Sequence, residues 1–401
     1  MGQLIQGERG ACTAGYFDWA ATSPPDQDIL REALRVSTDC WANPSSLHSE
    51  GKRARQSLEE ARARAARALG VAANTLVFTS GGTESDLVVL LSVLCREAKG
   101  SVVLGSGEHA AVLQTARVLR QCGHEVIFVK PDKDGIIRHQ AVADALQGDT
   151  QLVSVMAVNN ETGAIQPLEA IAAAIADTCR GKRRPLFHSD CVQAAGKIPL
   201  ELTRWGLDAA SFSAHKIKGP RGIGALYLAR PITSPFVAGG QERGIRGGTE
   251  NLFGAHALSL CFQKYLIRED KPATCQRYEA QKRITRGFIR ALLAIRGASL
   301  IPTSRADEAN EASYSPWIVQ AAVRGVPGQV MQRALDDEGF CVSTGSACSS
   351  GKGLHPALDA MGVEREQKED SFRVSFGFDT TREDTSRLLE AIARVARRLE
   401  P

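Results

Sequence analysis

The sequence predicts an α/β protein: a large domain on a mostly parallel sheet, followed by a smaller α+β domain. Two patterns and one bound carry this prediction. From about residue 76 to residue 228, short apolar runs alternate with helical segments at roughly 20–30-residue spacing, the pattern of βα units. Beyond about residue 266 the alternation stops. A strand near 317–322, a helix near 329–338 and a strand near 341–343 follow instead. The length of 401 residues, with 43% hydrophobic and 23% charged side chains, gives room for two or three globular domains with a sizeable core.

Composition also excludes classes of function. Lys plus Arg exceed Asp plus Glu by 49 − 45 = 4, too mild a balance for a nucleic-acid or anionic-membrane partner. The ten cysteines lack C-x-x-C pairs and the density of a small secreted scaffold, so reduced thiols are expected, with neither a zinc site nor a disulfide framework. The first ten residues contain no signal-like apolar run and no Arg/Ser-rich presequence, and the longest apolar run, 87–95, is about half a membrane span. The expectation is a soluble, cytoplasmic protein without a metal.

Taken in order, residues 1–15 read as a loosely held leader and 16–25 as a short strand leaving into a turn. A helix is expected over 26–36. The turn-rich stretch Asn43-Pro-Ser-Ser-Leu-His48 precedes a helix over 49–69 whose Ala/Leu face needs no role beyond packing. The apolar strand from Leu76 ends in Ser80-Gly81-Gly82-Thr83, and an apolar helix follows over 86–95. Free N–H groups and the positive end of a helix dipole make such a start a phosphate site. A strand from Val102 exits into His109. A helix (111–121), a strand (125–129) and a helix (139–146) lead to a buried strand from Leu152 that closes on Asn160. After a helix over 168–179, another strand ends at Asp190, with Gln193 just beyond.

The most informative stretch is 208–228. Strands over 209–213 and 224–228 flank a tight connection that delivers Ser213, His215 and Lys216 to one strand end, where ligands of open α/β sheets bind. The glycine-arginine loop Gly239–Asn251, which includes Thr249, reads as too flexible for a core. A long helix follows over 252–295 with a break at Lys271-Pro272. In the second domain, Thr344-Gly-Ser-Ala-Cys348-Ser-Ser-Gly-Lys-Gly353 reads as a mobile, solvent-facing loop in which a thiol can be reached. A strand over 371–377 carries Arg373, and a helix over 382–399 ends the chain.

Ser213-x-His215-Lys216-x-x-Gly219-Pro220-x-Gly222 resembles the cofactor-lysine segment of pyridoxal-phosphate enzymes of the cysteine desulfurase family. The spacing from Ser80-Gly81-Gly82-Thr83 to that segment agrees. Gly345-Ser-Ala-Cys348-Ser-Ser resembles the nucleophile loop of the longer-loop class, associated with nitrogen fixation and iron–sulfur assembly. The resemblance runs from about Tyr16 to the C-terminus. It departs at Ala214, where glycine is frequent, at Gln241, where a histidine can occur, and in lacking a longer C-terminal tail, which leaves the sulfur acceptor open.

The resemblance implies a fold-type-I transferase with a seven-stranded sheet, residues 25–265 forming the large domain and 1–24 with 266–401 the small one. Its implied cofactor is pyridoxal 5'-phosphate, with Gly82, Thr83, Ser213 and His215 among its binding residues. Lys216, rather than the equally patterned Lys218, would hold the cofactor as a Schiff base and act as base at Cα. His109 would stack on the ring and move protons, Asn160 and Gln193 would meet the ring oxygen, and Asp190 would face the ring nitrogen, whose protonation makes the ring an electron sink. Arg373 would grip the substrate α-carboxylate in a planar fork, with Asn43 also on the substrate side. Cys348 would take the sulfur of L-cysteine as a persulfide for an acceptor protein, a cluster scaffold or a transfer-RNA thiolation enzyme. A homodimer is implied, Thr249 reaching the neighbouring subunit's cofactor phosphate. At this point another enzyme of the same fold, an aminotransferase or selenocysteine lyase, or a non-catalytic sulfur-relay scaffold, remains open.

Overall fold

The computed structural model describes residues 13–236, 239–345 and 355–399. The leader through residue 12 and most of the Cys348 loop therefore lie outside the described residues. The segment after Gly15 does not form a strand. Tyr16 and Asp18 make single bridges to Cys341 and Ser375. The Tyr16 hydroxyl then ties down the carbonyls of Asp18 and Thr22, and Ala21 N–H bonds back to Asp18, so the chain turns before a ladder can extend. Helix α1 (Gln27–Asp39) starts on Asp26, whose carboxylate accepts from the N–H groups of Asp28 and Ile29. Helix α2 (Ser49–Leu69) has the expected limits. His48 Nδ1 caps its start, and Gly70, at φ 70°, takes the left-handed conformation that ends it.

Seven strands form the large sheet: β1 (Leu76–Thr79), β2 (Ser101–Gly105), β3 (Glu125–Val129), β4 (Leu152–Ser154), β5 (Leu186–Asp190), β6 (Ala209–Ser213) and β7 (Gly224–Leu228). Their order is β1-β7-β6-β5-β4-β2-β3. All the pairings are parallel except those of β7, which runs antiparallel to both β6 and β1. This is the mostly parallel seven-stranded sheet expected above. Helices α3 (Gly82–Leu91), α4 (Ala110–Gln121), α5 (His139–Ala145) and α6 (Leu168–Thr178) connect the parallel strands. Val102, Leu104, Val153, Phe187 and Phe212 are fully buried, each burial contributing about 1.5–3 kcal/mol. Because six strands point the same way, their C-terminal ends gather on one edge.

One boundary there differs from expectation: α3 begins at Gly82, four residues before the predicted Asp86. The Glu84 carboxylate accepts the N–H of Ser80, and the carbonyl of Gly81 accepts that of Ser85, which winds the Gly-Thr-Glu-Ser stretch into the first turn. The Gly239–Asn251 loop also differs. Its Glu242 is buried in a double hydrogen-bonded pair with Arg62, at 2.6 and 2.8 Å, and accepts the N–H of Phe78. The loop is thus pinned to β1 and α2 by tertiary contacts that glycine content does not reveal.

Helices α7 (Leu252–Tyr265) and α8 (Pro272–Leu293) are separate, divided where the Lys-Pro break was expected. Strands β8 (Ala298–Leu300), β9 (Ile318–Val323) and β10 (Ser371–Ser375) form a second, antiparallel sheet in the order β10-β9-β8. Helix α9 (Gly328–Asp337), the short helices α10 (Pro356–Met361) and α11 (Arg365–Glu369), and α12 (Arg382–Leu399) complete the chain. The expected strand at 341–343 is reduced to single bridges of Cys341 with Tyr16 and of Ser343 with Arg373. This sheet has its own apolar core, which includes Phe288, Trp317, Phe372 and Leu388 and also draws in Phe17 and Ala20 from the N-terminal segment.

Candidate active site

A cavity of about 480 Å³ opens at the C-terminal edge of the large sheet, within the size range of small-molecule sites. Gly82, Thr83, His109, Asn160, Asp190, Gln193, Ser213, His215, Lys216 and Arg373 all line it. Two expected residues do not. Asn43 is exposed on the loop before α2, its side chain accepting from Ser45 N–H. Thr249 is exposed on the glycine-arginine loop, near the Arg246–Glu84 pair that ties this loop to the start of α3. Cys348 lies outside the described residues, but Pro356 and Asp359, just beyond its loop, line the cavity.

Lys216 ends a single 3-10 turn after β6, and its Nζ donates to the carbonyls of Ala20 and Ala21 at 2.5 and 2.7 Å. Lys218, two residues on, is left-handed at φ 61° and pairs with Asp379. The turn thus sends the two lysines to different partners, a distinction unavailable on an extended strand. His215 Nδ1 lies 3.1 Å from the Thr22 hydroxyl, and burial, aided by Lys216, drops its pKa to about 3. It is a neutral group at physiological pH.

Asp190, the last residue of β5, is buried and accepts the N–H of Val192 at 2.8 Å. Burial raises its pKa, and His109, the Val192 N–H and Lys216 oppose that rise. His109 caps α4, its Nδ1 accepting from Ala111 N–H at 3.2 Å, which in the neutral ring leaves the proton on Nε2. Behind Asp190 sits Asp86, which the sequence reading passed over. Donor atoms of Asp86, His109 and Asp190 lie within 4.8 Å of one another, and burial followed by Asp190 holds the Asp86 carboxyl well above the usual range. Its signal in the sequence was a lone carboxylate opening the apolar run Leu87–Leu91.

On the far wall, Arg373 is 2% exposed. Its Nη2 donates to Asp18 at 2.8 Å and its Nη1 to the Asn160 carbonyl at 2.7 Å, while Nε has no partner among the described residues. Asp18, Glu108 and Glu161 were not anticipated. Glu108 accepts the N–H of Met156, and burial keeps its carboxyl well above the usual range. Glu161 accepts the N–H of Ala357 at 3.4 Å, and burial lifts its pKa to about 7.

These residues fit the implied cofactor. Backbone N–H groups at the start of α3, with Ser213 and His215 beside them, suit a phosphate, and a Cβ on Gly82 would come within 2.6 Å of Val192 Cγ2, so that approach requires glycine. A buried carboxyl at Asp190, raised by lack of solvent, is suited to a protonated ring nitrogen as partner. Lys216 supplies an amine in the same cavity.

Comparison with known proteins agrees with this geometry. The family model for aminotransferase class V matches residues 15–388. A Bacillus subtilis protein named putative cysteine desulfurase IscS 1 is 34% identical over 390 residues, covering 96% of this chain and 99% of its own. Cysteine desulfurase IscS of Methanosarcina thermophila is 34% identical over 397 residues, covering 96% and 93%. A solved structure described as a NifS-like protein superposes with a TM-score of 0.85 at 31% identity, over 96% of this chain and 99% of its own. By sequence, fold and the chemistry of its cavity, the chain belongs to the class-V aminotransferase family, whose members use pyridoxal phosphate and which includes these cysteine desulfurases.

Proposed function

We propose that the protein is a cysteine desulfurase: it converts L-cysteine to L-alanine and leaves the sulfur as a persulfide on Cys348. The carrying observation is the convergence of Lys216, Asp190, His109 and Arg373 on one cavity that Pro356 and Asp359, which follow the Cys348 stretch in the chain, also line. When bound, pyridoxal phosphate supplies an electron sink that loosens the bonds at the substrate Cα and Cβ. Lys216 would hold it through its amine and serve as base at Cα, Asp190 would keep the ring nitrogen protonated, and Gln193 and Asn160 would serve the ring oxygen. Arg373, held by Asp18, grips the substrate carboxylate. His109 takes the proton of the substrate thiol. Cys348 attacks as a thiolate, because the neutral thiol is a poor nucleophile. An S–S bond forms as the substrate C–S bond breaks, and the carbon left behind is protonated to alanine. An aminotransferase would have no use for the Cys348 loop, and a scaffold would need neither Lys216 nor Asp190.

Several finer readings belong with this. A homodimer with shared sites accounts for Thr249 and Asn43 lying outside the cavity of one chain. Trp41 and Leu47, 73% and 81% exposed beside α2, support a partner on that face. The acceptor is a protein of iron–sulfur assembly or transfer-RNA thiolation. A reducing cytoplasm suits the free thiols of the described cysteines, and no helix among the described residues is long and apolar enough to cross a membrane. The separate core of the second sheet, with Phe17 and Ala20 in it, supports the domain division at residues 24 and 266. The test is release of alanine and sulfide from L-cysteine with a reductant present. Cys348→Ala should bind L-cysteine yet form no protein persulfide; normal turnover by that variant would move the aminotransferase reading ahead.

A further inference from the structure

Lys197 stands on the turn after β5, 3% exposed, and the mechanism above does not use it. The charged groups acting on its amine are Lys216 and Arg373, both cations, and burial with these neighbours drives its pKa well below the usual lysine range. Burying an amine without a counter-ion is costly, so its contacts must account for it. Its Nζ donates to Oε1 of Gln193 at 2.6 Å. Gln193 Nε2 in turn donates to the carbonyl of Ala20 at 2.8 Å, the same carbonyl that accepts from Lys216 Nζ at 2.5 Å. A continuous chain thus runs from Lys197, behind the cavity wall, through Gln193 and Ala20 to Lys216, the last three lining the cavity. Its first member is fixed by the backbone. Gly196 is left-handed at φ 72°, where a Cβ would come within 2.8 Å of Ile217 Cδ1, and the Lys197 carbonyl accepts the indole N–H of Trp317 at 2.7 Å.

We propose that Lys197 is a positioning residue: by donating to Oε1 it commits Gln193 to turning its amide N–H toward the cavity, as a donor for the cofactor ring oxygen. The two ends of an amide are nearly the same shape, so its hydrogen-bond partners decide which way it faces. With Lys197 on one side and a carbonyl on the other, a flipped Gln193 would set Oε1 against the Ala20 carbonyl, acceptor against acceptor. Without Lys197, Oε1 would be buried with no donor and the amide would lose the contact that orders it. The inference rests on reading Gln193 as the partner of the ring oxygen.

The test is a double-mutant cycle read on the pH at which the bound cofactor's absorbance changes. Lys197→Met keeps the length and apolar stem but removes the donor; Gln193→Ala removes the amide. A donor at the ring oxygen draws electron density from it, so losing the donor should raise the midpoint by about one pH unit in each single variant. The double variant should move no further than Gln193→Ala alone. Additive shifts, or a native midpoint in Lys197→Met while Gln193→Ala is shifted, would overturn the role of Lys197. An unmoved midpoint in Gln193→Ala would instead overturn the placement of Gln193 at the ring oxygen, and this inference with it. If Lys197→Met fails to retain cofactor, Lys197→Leu, which also removes the donor in a shorter apolar chain, carries the same cycle.

Discussion

Glu161 lines the cavity beside Arg373, and its carboxyl titrates near neutrality because burial disfavours the charge more than the N–H of Ala357 and the Arg373 guanidinium restore it. Replacing it by glutamine keeps the shape and the acceptor for Ala357 but removes the ionisation. Raising a carboxyl from its ordinary 4.5 to about 7 means that the folded protein holds the proton more tightly than the unfolded chain does. Stability from this group is therefore full below about pH 4.5 and is lost as pH rises through 7. At ~1.36 kcal/mol per pH unit, the loss amounts to about 3 kcal/mol. Glu161→Gln should escape it.

The assay is urea denaturation of both proteins at several values between pH 5 and 8.5, read as the difference between them. Taking the difference cancels the titration of Asp86, Glu108 and Asp190, which are buried carboxyls in both. His355, whose Nδ1 lies 3.9 Å from Glu161 Oε2, also titrates in both proteins, and burial lowers its pKa, so its charge fades before Glu161 ionises. The variant should gain on the parent by about 2–3 kcal/mol between pH 5 and about 7.5, and the difference should then level off. A difference that stays constant across the range would refute the reasoning, since it would mean that Glu161 is already ionised, or already solvated, at pH 5.

Three further outcomes are expected. Borohydride reduction of the cofactor-loaded protein followed by peptide mapping should place the pyridoxyl label on Lys216, whereas a label on Lys218 would reverse the assignment. Asp190→Ala should fold and bind cofactor but form alanine at least ~100-fold more slowly, because the ring nitrogen loses its anion; near-normal turnover would give that role to another residue. Mixing inactive Lys216→Ala chains with an inactive Thr249→Ala variant should restore part of the activity in hybrid dimers. Hybrids that form without recovery would mean that each site is built from one chain.

The parts of the site that lay open in the sequence are those written in local chemistry. Asp190, Ser213 and Lys216 follow apolar strand runs directly, and the fold needs only to align those strands to bring them together. Helices with clear caps were equally legible: α2 and α12 match their expected limits, because His48 and Gly70 bound one and the Arg382–Leu399 amphipathic run defines the other. What escaped depends on contacts between distant segments. Asp18 matters because it meets Arg373 across 355 residues, and the glycine-arginine loop is ordered because Glu242 finds Arg62 across 180. The stretch 341–343 has strand-like residues, yet the ladder stops at single bridges to Tyr16 and Arg373.

The choice between Lys216 and Lys218 brings the two kinds of information together. Periodicity treats them alike, and a side-chain reading would have to guess. The backbone separates them: the 3-10 turn over Ala214–Lys216 and the left-handed Lys218 turn the chain between the two amines. Gly219 is packed where a Cβ would meet Ala214 Cβ at 2.7 Å, so the chain must fold back tightly at this point. The Gly-Pro punctuation that first marked the segment as a turn is therefore the same feature that aims Lys216 at Ala20 and Ala21 and leaves Lys218 to Asp379. The motif carries chemistry because its turn residues set direction, and a substitution that relaxed the turn, such as Gly219→Ala, should weaken cofactor attachment without touching any group that contacts the cofactor.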